Sequence, residues 1–173
     1  MDLAQIQALI RSIPDFPKPG ILFRDITPLL KDKDGFRAAI DLMASPFLSA
    51  DIDYVVAIEA RGYILGAPLA YKLHAGLIPV RKPGKLPYDK ITTDYALEYG
   101  TNSLEIHNDA VARGQRVLIV DDLLATGGTA AATMALLGRL GAIIVGCVFL
   151  VELLALEGRK RLDSTPVTTF IQY

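Results

Sequence analysis

The stretch 116–131 constrains the fold more than any other part of the chain, because its character changes abruptly over a short distance. Val117–Val120 is an unbroken run of branched apolar residues, which is typical of a strand buried on both faces. Asp121 and Asp122 follow directly, and a Gly-rich turn then leads into an Ala/Leu-rich segment that continues to Leu140. The pattern predicts a strand, a tight turn and a helix in immediate succession.

The turn itself has the composition of a phosphate-binding loop. Gly127 and Gly128 allow backbone N–H groups to converge on one point, Thr126 and Thr129 add hydroxyl donors, and the start of the helix contributes partial positive charge. No Lys follows the glycines as in a Walker loop, and no Gly-x-Gly-x-x-Gly is present. We therefore predict that a phosphomonoester binds at Ala125, Thr126, Gly127, Gly128 and Thr129.

The two acidic residues before this loop need a different partner. Asp121 and Asp122 would repel a bare anion, so they are expected to face hydroxyl groups, a cation, or positive charge that develops during a reaction. A ribose diol and a developing cationic sugar both satisfy that condition. The alternative is a capped strand end with solvated carboxylates.

With two acids followed by Thr-Gly-Gly-Thr, the segment Val120–Thr129 resembles the signature of the type I phosphoribosyltransferases. Gly20–Asp25 and Arg81–Pro87 are similar to the members of that family that act on adenine, and the resemblance covers nearly the whole chain. It implies transfer of the 5-phosphoribosyl group from 5-phosphoribosyl 1-pyrophosphate (PRPP) to adenine, which forms AMP and pyrophosphate. It also implies a homodimer, and Mg²⁺ is expected to arrive on the substrate. The alternatives are another base, namely hypoxanthine, guanine, xanthine or orotate, or a regulator that binds PRPP without turning it over.

Apolar strands and amphipathic helices alternate through residues 54–151, with further strands predicted at Tyr54–Ile58, 75–80 and 142–151. This order predicts an α/β fold with a mainly parallel, Rossmann-like sheet flanked by helices. We predict a single phosphoribosyltransferase domain over 1–173, as the resemblance implies. Within it, 1–33 would form an N-terminal hood with a base-recognition arm. Residues 81–107 would form a flexible catalytic loop and a β-hairpin flap.

Three local predictions concern the rest of the chain. Helical spacing of Leu3, Ile6, Leu9, Ile10 and Ile13 predicts a helix of about three turns with Asp2 as its cap and Pro14 as its stop. Residues 21–26 are expected to be extended. Residues 152–162 are expected to form a helical stretch with polar ends.

The end of the strand Tyr54–Ile58 delivers Glu59-Ala-Arg-Gly62 to the edge where open α/β sheets bind ligands. The resemblance assigns this turn to pyrophosphate and matches Arg61, with Ala60 standing where the family commonly has an acid or Ser. A cationic loop that contains Arg81, Lys82 and Lys85 is suited to closing over a diphosphate. The alternatives are an ion pair of Arg61 with Glu59 and an ordinary solvated loop.

An extended arm can recognise adenine through backbone groups alone, because the base offers an acceptor at N1 and a donor at N6. The resemblance assigns this role to the backbones of Leu22 and Arg24, with Phe23 nearby. The alternative is an arm that packs on the domain, with Arg24 paired to Asp25.

A third acid completes the predicted catalytic set of Asp121, Asp122 and Glu98. Glu98 lies on the first arm of the predicted hairpin and matches the family's Glu-Tyr pair, so it is a candidate for handling a proton on the purine. The alternative is ordinary cross-strand pairing with residues 104–106.

Charge and composition exclude several classes of partner. The chain of 173 residues has 18 Lys plus Arg and 19 Asp plus Glu, a net charge of -1, so its total charge does not predict nucleic-acid or anionic-membrane binding. No apolar run approaches the roughly 18 residues of a membrane span, and no signal-peptide pattern is found, so we expect a cytoplasmic protein. No carboxylate cluster has the form of a dedicated metal cage.

Overall fold

The structure is a computed structural model that describes residues 1–96 and 101–173. The chain forms two compact units, residues 1–43 and residues 44–173. None of the helices in these described ranges is long and apolar enough to cross a membrane.

The first unit is built mainly from short elements. They are α1 Leu3–Ala8, β1 Arg11–Ile13, β2 Phe23–Asp25, α2 Thr27–Lys31 and α3 Lys33–Ala44. Asp2 caps α1 as predicted, since its carboxylate accepts the backbone N–H of Gln5 at 2.9 Å. The strands β1 and β2 pair in antiparallel orientation.

The predicted helix of about three turns is wrong in its second half. The α-helix ends at Ala8, and Arg11–Ile13 forms a strand that pairs with Phe23–Asp25. Strand pairing gives these backbone groups partners, and Pro14 disfavours helical geometry at Ile13. The Arg11 guanidinium also reaches the Asp25 carboxylate at 2.7 Å, so a tertiary contact overrides the helical spacing.

The second unit contains the remaining strands and two longer helices. They are β3 Tyr54–Ile58, α4 Arg61–Lys72, β4 Gly76–Val80, β5 Lys90–Ala96, β6 Thr101–His107, β7 Arg116–Leu124, α5 Gly128–Leu140, β8 Ile143–Glu152 and β9 Val167–Gln172. Short 3-10 turns lie at Ser45–Phe47, Leu154–Leu156 and Gly158–Arg161.

A five-stranded parallel sheet in the order β4-β3-β7-β8-β9 forms the centre of this unit. This confirms the predicted α/β fold with a mainly parallel sheet flanked by helices. Val117–Val120 are completely buried in the middle strand, as the apolar run predicted. That strand continues to Leu124, so Asp121 and Asp122 belong to the strand and do not merely follow it. The longer strand persists because Leu123 and Leu124 still pair with β8.

The predicted hairpin is present as the two-stranded antiparallel sheet β5–β6, in which Lys90 pairs with His107 and Thr93 with Leu104. Leu104 and Ile106 on its second strand are buried. Glu98 lies outside the described residues, so its assignment remains a prediction.

The predicted helical stretch over 152–162 is wrong. Glu152 ends β8, and two 3-10 turns separated by Glu157 follow it. Glu157 has φ 49°, a left-handed conformation that interrupts helical hydrogen bonding. The buried Glu152 carboxylate is bonded to Arg159, and this contact is incompatible with a polar, solvated helix end.

Candidate active site

The Gly-rich turn lies between the end of β7 and the start of α5. Gly127 has φ 78°, and a side chain there would run into the carbonyl oxygen of Gly158, so both backbone conformation and space require glycine. The N–H of Ala131 donates to the Gly127 carbonyl at 2.9 Å, which leaves the N–H groups of Gly128, Thr129 and Ala130 without a carbonyl acceptor inside the helix. The turn therefore presents N–H groups at the positive end of α5.

A pocket opens at this turn. It is lined by residues 123–130, by Asp121 and by Phe149. All five residues predicted for the phosphate, Ala125 to Thr129, are among them. Phe149 comes from β8 and was missed, because nothing in its apolar surroundings separates it from core residues.

A second pocket adjoins the first and shares Asp121 with it. The other residues that line it are Glu59, Ala60, Arg61, Lys82 and Asp122. Residues from the ends of β3, β4 and β7 therefore meet at one edge of the sheet, where parallel strands place ligand sites.

The two acidic residues of β7 have different surroundings, although both line the second pocket. Asp122 is 4% exposed and accepts a hydrogen bond from Arg61 Nε at 2.5 Å. Asp121 is half-buried, and burial, followed by repulsion from Asp122, raises its pKa well above the usual value. These two environments do not fit a strand end with solvated carboxylates.

Close approach of α4 brings Arg61 to this position. A methyl group on Gly62 would lie 3.0 Å from both Asp121 Oδ1 and the Val120 carbonyl oxygen, so the absence of a side chain lets the helix begin beside β7. The Glu59–Ala60 peptide bond just before the helix is cis. The guanidinium of Arg61 forms an ion pair with the Asp122 carboxylate.

Glu59 binds the cationic loop. Its carboxylate accepts the Lys82 backbone N–H at 3.0 Å and the Arg81 Nε at 3.3 Å. The Lys82 N–H, assisted by the Arg81 guanidinium, holds the pKa of Glu59 below its usual value despite partial burial. Glu59 was not predicted as a site residue, although its place at the end of a buried strand was a usable signal.

A second acid holds the cationic loop from the hairpin. The buried Glu105 carboxylate accepts the Gly84 N–H at 3.1 Å and lies 3.9 Å from Lys90 Nζ. Arg81 also donates to the Lys85 carbonyl oxygen at 2.9 Å. Of the three predicted loop cations, Lys82 lines the second pocket, whereas Arg81 and Lys85 are joined to each other beside it.

The predicted base-recognition residues belong to the unit 1–43. Phe23 and Arg24 lie in β2, and the ring of Phe23 contacts Phe16 edge-on with centroids 5.1 Å apart. Arg24 donates to the Ser12 hydroxyl at 2.5 Å, whereas Asp25 binds Arg11. The side chain of Leu22 is 47% exposed.

Across the described ranges, no group of three or more His, Cys, Asp or Glu side chains could hold a metal ion.

Known proteins resemble this chain along its full length. A family model of the phosphoribosyl transferase domain matches residues 26–172. Adenine phosphoribosyltransferase of Halothermothrix orenii is 55% identical over 97% of this chain and 99% of its own, and that of Thermotoga neapolitana is 58% identical over 100% of both chains.

Solved structures give the same result. The adenine phosphoribosyltransferase of Thermoanaerobacter pseudethanolicus has a TM-score of 0.97 at 53% identity, covering 99% of this chain and 100% of that one. The Saccharomyces cerevisiae enzyme, solved with adenine and an imino-altritol bisphosphate, has a TM-score of 0.93 at 38% identity, covering 98% of both. The chain therefore belongs to the phosphoribosyltransferase family, among its adenine phosphoribosyltransferases.

Proposed function

We propose that this protein transfers the 5-phosphoribosyl group of PRPP to N9 of adenine and releases pyrophosphate and AMP. The observation that carries this function is the pair of adjoining pockets that share Asp121. One pocket has the N–H groups of a helix start, and the other has Arg61 and Lys82. A donor with a monoester at one end of its sugar and a diphosphate at the other matches this pair of neighbouring sites.

In this assignment the 5-phosphate binds the turn from Ala125 to Thr129, where backbone N–H groups and hydroxyls supply donors. The ribose lies over β7, with its hydroxyls on Asp121 and Asp122. Interaction with hydroxyl groups or a cation favours the ionised form of Asp121, whose pKa is raised while the site is free.

The diphosphate occupies the second pocket, with Ala60 and Arg61 on one side and Arg81, Lys82 and Lys85 on the other. A Mg²⁺ ion bound to the diphosphate would neutralise part of its charge and so favour its departure. Arg61 is well placed for this role because Asp122 orients its guanidinium at the edge of the pocket.

The reaction breaks the bond between C1 of the ribose and the pyrophosphate oxygen and forms a bond from C1 to N9 of adenine. If breaking runs ahead of forming, the sugar gains positive charge that the carboxylates of Asp121 and Asp122 stabilise. The N9 proton of the purine must leave as the new bond forms. Glu98 is our candidate for accepting it.

We assign adenine recognition to the backbones of Leu22 and Arg24, with Phe23 beside the base. Phe23 and Arg24 lie in the strand β2, and backbone N–H and C=O groups of an extended segment match the edge of an adenine base. The Giardia lamblia relative, 34% identical with a TM-score of 0.95, was solved with 9-deazaadenine. This relative supports a purine of the adenine type.

A homodimer in the cytoplasm completes this assignment. Exposed apolar side chains on α4 and β4, namely Ile64, Tyr71 and Leu77, support a shared surface, with exposures of 44%, 87% and 43%. PRPP and AMP are charged and do not diffuse across membranes. We therefore expect an enzyme that uses them to lie in the cytoplasm, where nucleotides are made. Sedimentation velocity of the purified protein tests the dimer, and a single monomeric species would contradict it.

An ultraviolet assay with PRPP, Mg²⁺ and each of five bases tests the reaction. We expect AMP from adenine, and rates lower by about 10⁴ or more with guanine or hypoxanthine, because a mismatched buried hydrogen bond discriminates strongly. Turnover of orotate or guanine in place of adenine would contradict the base assignment. Binding of PRPP without any turnover would instead support a regulator.

A further inference from the structure

The 3-10 turn Gly158–Arg161 packs against the Gly-rich turn of residues 125–129. Gly158 is buried, and a side chain there would collide with the Ala125 carbonyl oxygen and come within 3.1 Å of the Gly127 N atom. Conversely, a side chain on Gly127 would collide with the Gly158 carbonyl oxygen. The two backbones are therefore in direct contact, which requires glycine on both sides.

The next residue fixes this turn to the sheet. The Arg159 guanidinium donates to both carboxylate oxygens of Glu152, at 2.7 and 2.8 Å. It also donates to the Val167 carbonyl oxygen at 3.0 Å and to the Thr169 hydroxyl at 2.8 Å. Arg159 thus ties the turn to the last residue of β8 and to β9.

Glu152 is a suitable anchor for such a contact. Its side chain is 4% exposed, and the Thr169 hydroxyl donates to it at 2.7 Å. The hydrogen bonds from Arg159 hold the pKa of Glu152 below its usual value, so it stays ionised at neutral pH. At the other end of the turn, Leu162 is completely buried in the apolar core.

We propose that Gly158 and the Glu152–Arg159 ion pair are positioning residues for the 5-phosphate. They hold the backbone of residues 125–129 in the conformation that directs its N–H groups at the phosphate, without touching the ligand. A set of N–H donors binds an anion well only if its geometry is fixed before binding, because otherwise ordering the loop opposes binding. This role rests on the proposed assignment of residues 125–129 to the phosphate.

The variant Gly158→Ala tests the contact directly. The φ of Gly158 lies outside the left-handed region, so the exchange adds only a methyl group against the loop. We expect calorimetry to show about tenfold or greater weakening for ribose 5-phosphate, since small displacements of binding groups are costly. Pyrophosphate binding should be unchanged, because Arg61 and Lys82 are not affected.

The matched control is Gly138→Ala. Gly138 lies on the exposed side of α5, with no atom within 4 Å of an added methyl group. Binding of ribose 5-phosphate and of pyrophosphate should both match the unchanged protein.

The ion pair is tested with Arg159→Lys, which keeps the charge but loses the two-pronged contact with Glu152. We expect weaker ribose 5-phosphate binding and a higher KM for PRPP, with kcat changed less. The control is Lys160→Gln on the same turn, because Lys160 pairs only at the surface with Glu157, where the side chains are 72% and 60% exposed. That variant should behave as the unchanged protein does.

Unchanged ribose 5-phosphate affinity in Gly158→Ala and Arg159→Lys would overturn the positioning role, and so would equal losses for ribose 5-phosphate and pyrophosphate. If Gly158→Ala does not fold, Arg159→Lys decides. An unchanged protein that does not bind ribose 5-phosphate would overturn the phosphate site and this inference together. An unchanged protein that binds it but forms no AMP would overturn the reaction alone, and weaker binding by the Gly158 variant would still support positioning.

Discussion

Asp121 and Asp122 are adjacent and identical in side chain, yet the fold gives them different partners. Asp122 is buried against Arg61, whereas Asp121 lies where the two pockets meet and has a raised pKa caused first by burial and then by its neighbour. We therefore expect their substitution to affect the protein in different ways.

The variant Asp122→Asn should lower kcat by about 100-fold and change KM much less. Asparagine keeps an acceptor for Arg61 but removes the negative charge, which matters most when the sugar becomes cationic. Steady-state kinetics with PRPP and adenine measure both constants. Asp109→Asn, at an exposed turn, is the control, and an unchanged kcat in Asp122→Asn would contradict the electrostatic role.

The variant Asp121→Asn should stabilise the ligand-free protein at pH 7. A raised carboxyl pKa means that the folded state binds the proton more tightly than the unfolded state. The ionised carboxylate therefore costs stability at neutral pH, and this cost disappears as the pH falls toward the usual value of 3.8. We expect Tm to rise by about 2–4 °C at pH 7, which is the effect of roughly 1 kcal/mol in a domain of this size.

Thermal unfolding followed by circular dichroism at pH 7 and pH 4.5 measures this gain. The gain should be smaller at the lower pH, and Asp109→Asn should show none at either. A lower Tm for Asp121→Asn at pH 7 would contradict the stated environment of Asp121.

Among the helices and strands, α4 depends on a close contact with the sheet. A methyl group on Gly66 would lie 2.7 Å from the Ala57 side chain on β3, so only glycine permits this packing. Because α4 begins at Arg61, its distance from the sheet also sets the position of Arg61 at the second pocket.

We predict that Gly66→Ala destabilises the protein by about 1–3 kcal/mol, the usual cost of overpacking. It should also weaken pyrophosphate binding through the displacement of Arg61. Urea unfolding and calorimetry measure the two effects. Gly138→Ala is the control for the same exchange in an open helix position, where we expect a gain of about 0.5–1 kcal/mol. Equal stability of Gly66→Ala and the unchanged protein would show that α4 can move away without cost.

For the molecule as a whole, buried and partly buried acidic residues link stability to pH. Asp25, Glu59 and Glu152 have lowered pKa values, and the principal causes are the Thr27 N–H, the Lys82 N–H and the Arg159 guanidinium respectively. A lowered pKa adds stability that is fully present above the unfolded value and is lost as the pH falls through the folded value. Asp121 acts in the opposite sense.

We therefore predict that the free energy of unfolding falls as the pH is lowered below about 4.5, the usual value for Glu152. In Glu152→Gln the free energy at pH 7 should be lower by about 1–3 kcal/mol, and its fall below pH 4.5 should be less steep. Urea unfolding at pH 7, 4.5 and 3.5 measures both. Glu157→Gln, at a largely exposed ion pair, is the control. An equally steep fall in Glu152→Gln would contradict the role of Glu152.

Local patterning was enough to predict the parallel sheet, the strand with its paired acids and the Gly-rich turn at a helix start. These features depend on residues that are close in the chain: the apolar run of 117–120 requires burial, and Gly127 and Gly128 permit a turn that other residues resist. The same local logic was wrong for residues 11–13 and 152–162. There, distant partners such as Asp25 and Arg159 provide contacts that spacing does not reveal.

The packing of distant segments decided which acidic side chain pairs with which basic side chain. Arg61 binds Asp122, Glu59 binds the loop at Arg81 and Lys82, and the backbone of Gly158 contacts the Gly-rich turn. None of these pairs is close in sequence, and each forms because the ends of parallel strands converge at one edge of the sheet. Residue types and local spacing therefore predict the chemistry available at that edge, and the packing of strands, helices and loops selects the partners that carry it out.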